Sequence, residues 1–313
     1  MNLRDAARFP SQCPYPDCPT REAGPVSLHW VRRGFFFRSS DSKWVARFLC
    51  RRCQRSCSQA RFSPCFRQKR RTLNHSVELL LVSNVSQRRA ARILHANRKT
   101  IVRKFLWAAA QAELRHASFV RSLPPGPLSA VQFDEMESFE RSKGLPLSIP
   151  LVVQPKTRKI LALDVCRMPA KGLLARKSIQ KYGPRADERG PTAVRLLRGI
   201  QETLGVPSEI LSDQNPQYPG WIQRAWGSPA LSAHQTVKGR RGCVVGQGEL
   251  KAGGWDPLFS LNHTAAMIRA NVNRLARRTW CTTKRPDRLR AHLILYADYH
   301  NRVLTPPLSG SPG

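Results

Sequence analysis

The chain has 313 residues, enough for two or three folding units that each bury a core. Lysine and arginine number 53 against 20 aspartates and glutamates, a formal net charge of +33. An excess of one sign on this scale goes beyond what solubility asks of a surface, and it attracts phosphate backbones by releasing their counterions. No apolar run approaches the roughly 20 residues of a membrane-spanning helix, the longest centring on Glu78-Leu79-Leu80-Leu81-Val82, so no membrane partner is expected. The opening Met1-Asn2-Leu3-Arg4-Asp5 lacks the apolar core of a secretory signal. A cytoplasmic, nucleoid-associated chain follows, whose nine cysteines are thiols or metal ligands rather than disulfides.

Residues 1–70 carry six of those cysteines. Cys13-Pro14-Tyr15-Pro16-Asp17-Cys18 and Cys50-Arg51-Arg52-Cys53 form two short-spaced pairs, and two such pairs on turns deliver the four thiolates of a structural Zn2+ site. Between them Val26–Val31 and Trp44–Leu49 read as strands, giving a zinc ribbon too small to fold without its metal. Cys57 and Cys65 read as small buried thiols, and His29 as an ordinary strand residue.

Residues 73–118 show helical periodicity. Leu73–Val82 reads as a first helix, and Ser86 as the N-cap of a second running to Leu94. After the turn His95-Ala96-Asn97 a third helix begins at Arg98 and continues through Ala108 to His116. Its pattern buries Ile101, Val102, Phe105 and Leu106 and turns Arg98, Lys99, Arg103 and Lys104 outward. This is the arrangement of a helix-turn-helix whose basic end enters a major groove of double-stranded DNA.

The run Leu123-Pro124-Pro125-Gly126-Pro127 breaks helix and strand alike and suggests a boundary. From 128 to 303 short apolar runs alternate with helical patterns, the mark of an α/β domain with a mixed sheet. Ala130–Phe139, Ser148–Val153 and Lys159–Val165 read as an antiparallel meander. A helix over Pro191–Leu204 precedes the strand Glu209–Asp213, and Ser232–Val237 reads as a further strand. The helices Asn271–Arg278 and Asp287–Tyr299 should cover the sheet, Trp221 and Trp255 should pack in the core, and the tail 304–313 reads as low-complexity disorder. The sequence contains no internal repeat.

Acids are scarce in this chain, so Asp134 and Asp213, each following an apolar run, are the notable ones. Side by side they repel each other unless a divalent cation sits between them. Such a site can hold Mg2+ or Mn2+ for in-line displacement at phosphorus. Lys238, Arg240 and Arg241 lie in a glycine-flanked loop suited to gripping phosphate.

The order of these parts resembles the bacterial insertion-sequence transposases of the InsA/InsB-like kind. Phe133-Asp134-Glu135, Cys50–Cys53 through Phe66-Arg67, Ser212-Asp213 and Arg274-Leu275-Ala276-Arg277-Arg278-Thr279 carry the resemblance. It implies a zinc ribbon, a helix-turn-helix and a ribonuclease-H-like core of the DDE type. It also implies metal-dependent cleavage of the element's terminal inverted repeats, strand transfer into target DNA, and a dimer or higher oligomer in the synaptic complex. Asp134 and Asp213 match the first two carboxylates. For the third, Glu249, 36 residues after Asp213, leads because it offers the charge that hard cations prefer, and Asn262, which the family's pattern puts in the helical slot, is the alternative. An amide in that slot also leaves room for a DNA-binding regulator or a catalytically inactive copy.

Overall fold

The computed structural model describes residues 9–19, 29–124, 130–238, 241–244, 248–251, 256–276 and 282–305, the two short segments 241–244 and 248–251 by backbone alone. Two compact units divide it, Met1–Ser76 and Val77–Gly313.

In the first unit β1 (Trp30–Arg38), β2 (Lys43–Cys50) and β3 (Ser56–Ser58) form an antiparallel sheet in that order. The register of β1 on β2 slips between Arg32 and Phe35, where Gly34 takes a φ of 77°. A residue with a Cβ is strained in that left-handed conformation, so glycine marks the irregularity. Arg38 closes the β1–β2 turn with two bonds of 2.6 Å to the Asp41 carboxylate. The core is small: Trp30, Ala46 and Phe48 packed with Cys13, Cys18, Cys50 and Cys57. Of the strand expected over Val26–Val31, only the end from Trp30 lies in β1, and residues 20–28 lie outside the described residues.

The division between the units falls inside α1 (Leu73–Val82). In the second unit follow α2 (Gln87–Ile93) and α3 (Arg98–Arg121). Their starts are fixed as the caps predict: Ser86 accepts a hydrogen bond from the Arg89 amide at 3.3 Å, and Asn97 from the Lys99 amide at 2.8 Å. Ile101 and Phe105 are buried on α3, and Arg98, Lys99 and Arg103 are exposed. Lys104 departs from the expectation. It is only 5% exposed, because α3 is 24 residues long and has packing neighbours on more than one side.

The remaining elements, in chain order, are β4 (Val131–Phe139), β5 (Pro146–Val153), β6 (Ile160–Leu163), β7 (Cys166–Arg167), α4 (Leu174–Tyr182), α5 (Arg189–Leu204), β8 (Ile210–Ser212), α6 (Tyr218–Trp226), α7 (Pro229–Ser232), β9 (His234–Thr236), β10 (Arg241–Val244), β11 (Gly248–Lys251), α8 (Phe259–Asn271) and α9 (Pro286–Tyr299). They build an α/β domain around a mixed sheet in the order β6-β5-β4-β8-β9, with β7 pairing β5. The first three strands are an antiparallel meander, while β8 and β9 run parallel to β4. β10 and β11 form a separate two-stranded ribbon.

Alternation along β4 sends Val131 and Phe133 to one face, into a core with Leu197 and Ile200 of α5 and Tyr218, Trp221 and Ile222 of α6. Gln132, Asp134 and Met136 take the other face, toward α8. The helix expected over Asn271–Arg278 is a short 3-10 turn, Asn273–Leu275, and residues 277–281 lie outside the described residues. The strand expected from Ser232 begins at His234, since Pro229 starts a helical turn that takes up Ser232. Trp221 is buried as expected; Trp255 and the tail from 306 on lie outside the described residues.

The boundary expected near residues 118–128 is no division between compact units, because α3 packs along α9. Ala108, Ala109 and Ala112 are buried there and let the helices approach closely. Asp298, 2% exposed on α9, holds Arg115 of α3 at 2.7 Å and Arg302 at 2.9 Å. Glu78 of α1 joins the same arginines at 3.4 and 3.0 Å. Buried and networked charges of this kind hold helices in one register.

Candidate functional site

In the first unit, four sulfurs converge. The Sγ atoms of Cys13, Cys18, Cys50 and Cys53 all lie within 4.8 Å of one another. Cys13 and Cys53 are 3.7 Å apart, Cys18 and Cys50 3.8 Å. A tetrahedron with metal–sulfur bonds of about 2.3 Å has sulfur–sulfur edges of about 3.8 Å, so the group could hold a metal ion such as zinc. Each pair sits on a turn: the Cys18 amide donates to the Tyr15 carbonyl at 3.2 Å, and the Gln54 amide to the Cys50 carbonyl at 2.9 Å. Burial first, and then the neighbouring thiols, push Cys13 up to about 12. A cation bound among the four sulfurs would hold them as thiolate ligands. Cys57 is buried beside the group and pushed up to about 11 by burial, the condition of an inert packing thiol.

In the second unit the sheet brings Asp134 and Asp213 level. Phe133 pairs with Ser212 across the parallel strands β4 and β8, so the two aspartates are the next residues on neighbouring strands. Both are half-buried and line one cavity of about 360 Å3 with Glu135, Lys171, Asn215, Tyr218, Asn262 and Arg269. The Tyr218 hydroxyl donates to Asp134 Oδ1 at 3.0 Å. Burial, followed by the charges of Asp134, Glu135 and Asp213, raises the Tyr218 phenol, which therefore stays a donor. The Asn215 amide orients Asp213 through a bond of 3.1 Å to Oδ1. Beneath Asp213, Ser212 is fully buried and its hydroxyl bonds the Asp213 carbonyl and His234 Nε2, each at 2.8 Å. Glu135 accepts from the Ser148 hydroxyl, and burial raises its carboxyl above the ordinary range.

Asn262 reaches the cavity because α8 is clamped to β4. Gln132, 2% exposed and two residues before Asp134, donates to the Pro257 carbonyl at 2.7 Å and accepts from the Leu261 amide at 2.8 Å. The Asn262 side-chain nitrogen donates to Asp256 at 3.0 Å, which leaves the carbonyl oxygen as the coordinating atom. Glu249, the other candidate, lies in β11 opposite Cys243, and its side chain lies outside the described residues.

Among the basic candidates, Arg98, Lys99, Arg103 and Lys238 are exposed, whereas buried Lys104 is withdrawn from solvent. Arg240 lies outside the described residues, and Arg241 is described by its backbone in β10. Sequence reasoning missed Tyr218, Gln132, Lys171 and Arg269. Alternation along β4 carried a signal for Gln132, which shares the face of Asp134. Tyr218 and Lys171 had none, because only the fold brings the start of α6 and the segment before α4 to the cavity.

No helix among the described residues is long and apolar enough to cross a membrane. In comparison with known proteins, no family model matches the chain and no curated protein matches it.

Proposed function

We propose that the chain is a DDE-type DNA transposase, binding the terminal inverted repeats of a bacterial insertion sequence and catalysing metal-dependent cleavage and strand transfer. The observation that carries this reading is the juxtaposition of Asp134 on β4 with Asp213 just past the end of the neighbouring parallel strand β8, in one cavity with Asn262. An antiparallel meander extended by parallel strands is the sheet that a ribonuclease-H-like core calls for, and it supports the same reading. Two short helices followed by a longer one with a capped basic start, Arg98 and Lys99, suit a helix-turn-helix on duplex DNA. Zinc is the metal we assign to the four cysteines, and with it a ribbon whose arginines add to phosphate binding.

The cavity's donors fit Mg2+ or Mn2+: two carboxylates and an amide oxygen, all hard oxygen ligands. When bound, such ions supply Lewis-acid stabilisation of an in-line displacement at phosphorus. The chain's own groups do the rest. Asp134 and Asp213 provide the negative oxygens, Tyr218 holds Asp134 in one rotamer, and Gln132 keeps α8 at the proper distance. Lys171 and Arg269 place positive charge at the rim, where a phosphate enters.

One observation favours a second reading. Asn262 in the third position is uncharged and binds divalent ions weakly, as in a regulator or inactive copy that only occupies its sites. The deciding experiment joins a duplex made from the DNA flanking the gene to a supercoiled plasmid in Mg2+. The transposase reading expects joined product, reduced about a hundredfold or more by Asp134→Asn or Asp213→Asn with DNA binding retained. Binding without joining in the wild type supports the regulator instead, and joining that survives both substitutions removes the proposed site.

A further inference from the structure

Beside the cavity, the chain exposes an apolar tip that nothing among the described residues covers. Leu173 is 97% exposed, and Leu174, which begins α4, is 43% exposed. Gly172 precedes them with a φ of 56°, so the backbone turns sharply and carries Leu173 outward. Lys171, one residue earlier, lines the cavity of Asp134 and Asp213 and pairs with Glu137 at 2.8 Å. The tip therefore stands at the mouth of the proposed catalytic site.

Its surroundings identify its partner. From Met168 to Tyr182 the chain has four cations, Lys171, Arg176, Lys177 and Lys181, and no acid. Below α4 the loop Arg141–Gly144 adds Arg141 and Lys143, and α4 rests on it through bonds from Ser178 to the Gly144 carbonyl at 2.5 Å and from Tyr182 to Ser142 at 3.2 Å. Arg141, Lys143, Arg269 and Arg274 line a second cleft of about 760 Å3, which shares Met136, Glu137 and Arg269 with the lining of the catalytic cavity. Leu173 is thus an exposed apolar side chain followed by a helix whose charged residues are all cations. It suits a polyanion with an apolar interior, and duplex DNA has both, phosphates outside and stacked bases within.

We propose that Leu173, supported by Leu174, is a wedge that inserts between base pairs of duplex DNA and unstacks a step at the mouth of the cavity lined by Asp134 and Asp213. The inference rests on the reading of that cavity as a DNA-processing site. Burying one leucine side chain is worth roughly ten- to a hundredfold in an equilibrium constant, comparable to the cost of opening one base step. The wedge is thus strong enough to hold a step open and too weak to melt DNA without the flanking cations. An opened step frees the backbone to enter a cavity recessed between strands and helix.

A wedge favours a step that is already weakened, since less stacking is lost there. The test measures affinity of the full chain, without added divalent cation, for a short duplex and for the same duplex with a central mismatch flanked by the fluorescent base 2-aminopurine. The wild type should prefer the mismatched duplex about tenfold and raise the fluorescence of the flanking base. Leu173→Ala should abolish both effects while leaving affinity for the matched duplex within about twofold, and Leu173→Met should retain them. Lys177→Ala should weaken both complexes equally and reduce the salt dependence. Equal wild-type affinity for the two duplexes, or a preference that survives Leu173→Ala, overturns the wedge. Self-association without DNA that Leu173→Ala abolishes also overturns it, by making a second copy the occupant. Because no strand transfer is needed, failure of the wedge leaves the carboxylate site standing. A chain that binds neither duplex contradicts both.

Discussion

Tyr218 shows how much of the carboxylate site depends on a residue that carries no charge of its own. Its ring packs against Phe133 at 4.8 Å between centroids, and its hydroxyl reaches Asp134 from beneath. Burial and three nearby carboxylates keep that hydroxyl protonated, so it always donates. A bond of this kind holds one carboxylate oxygen and aims the other, as partners behind a metal ligand generally do. Tyr218→Phe keeps the ring and the packing and removes the donor alone. It should lower divalent-metal affinity about tenfold while leaving thermal stability within about 1 kcal/mol, checked by metal titration beside a melting curve. Asp134 and Asp213 were legible in the sequence because each ends a short apolar run in a chain poor in acids. Tyr218 was not, since its contact with Asp134 spans 84 residues and leaves no local pattern.

Among the elements, α9 is the main packing partner of α3 in the second unit. His292 on α9 is 3% exposed, bonds the Leu81 carbonyl of α1 at 2.8 Å and stacks edge-on against Phe105 of α3. Burial drives its imidazole down to about 4. An unfolded histidine titrates near 6.5, so the fold favours the neutral ring. That contribution is complete above about 6.5, shrinks as the pH falls through that value, and is gone near 4. Unfolding in urea should show the wild type losing about 2 kcal/mol between about pH 7 and pH 5 through this residue, and His292→Gln should lose correspondingly less. An identical pH slope in the two proteins would remove His292 as the cause. The caps at Ser86 and Asn97, the meander and the cysteine pairs could be read locally, because each is written within a few residues. The burial of Lys104 could not. A single amphipathic period assigns one buried face, whereas α3 packs against α2, α5 and α9.

Across the whole molecule, the +33 charge is shared between a unit organised by four cysteines and a unit in which helices and sheet are continuous. The basic start of α3 and the carboxylate cavity lie in one compact unit, so under the proposed function DNA held by the first would be presented to the second without a loose tether. The clamp that brings Asn262 to the cavity joins residues 125 and 129 apart in sequence, so no local pattern shows it. The central claim is that Asp134 and Asp213 together bind a divalent cation. Titration of the zinc-loaded full chain with Mn2+, followed by the loss of the free-ion electron paramagnetic resonance signal, tests it without knowledge of any DNA sequence. The account predicts binding that Asp134→Asn and Asp213→Asn each weaken by about a hundredfold or more. Mn2+ binding that is absent from the wild type, or unchanged in both variants, would contradict it.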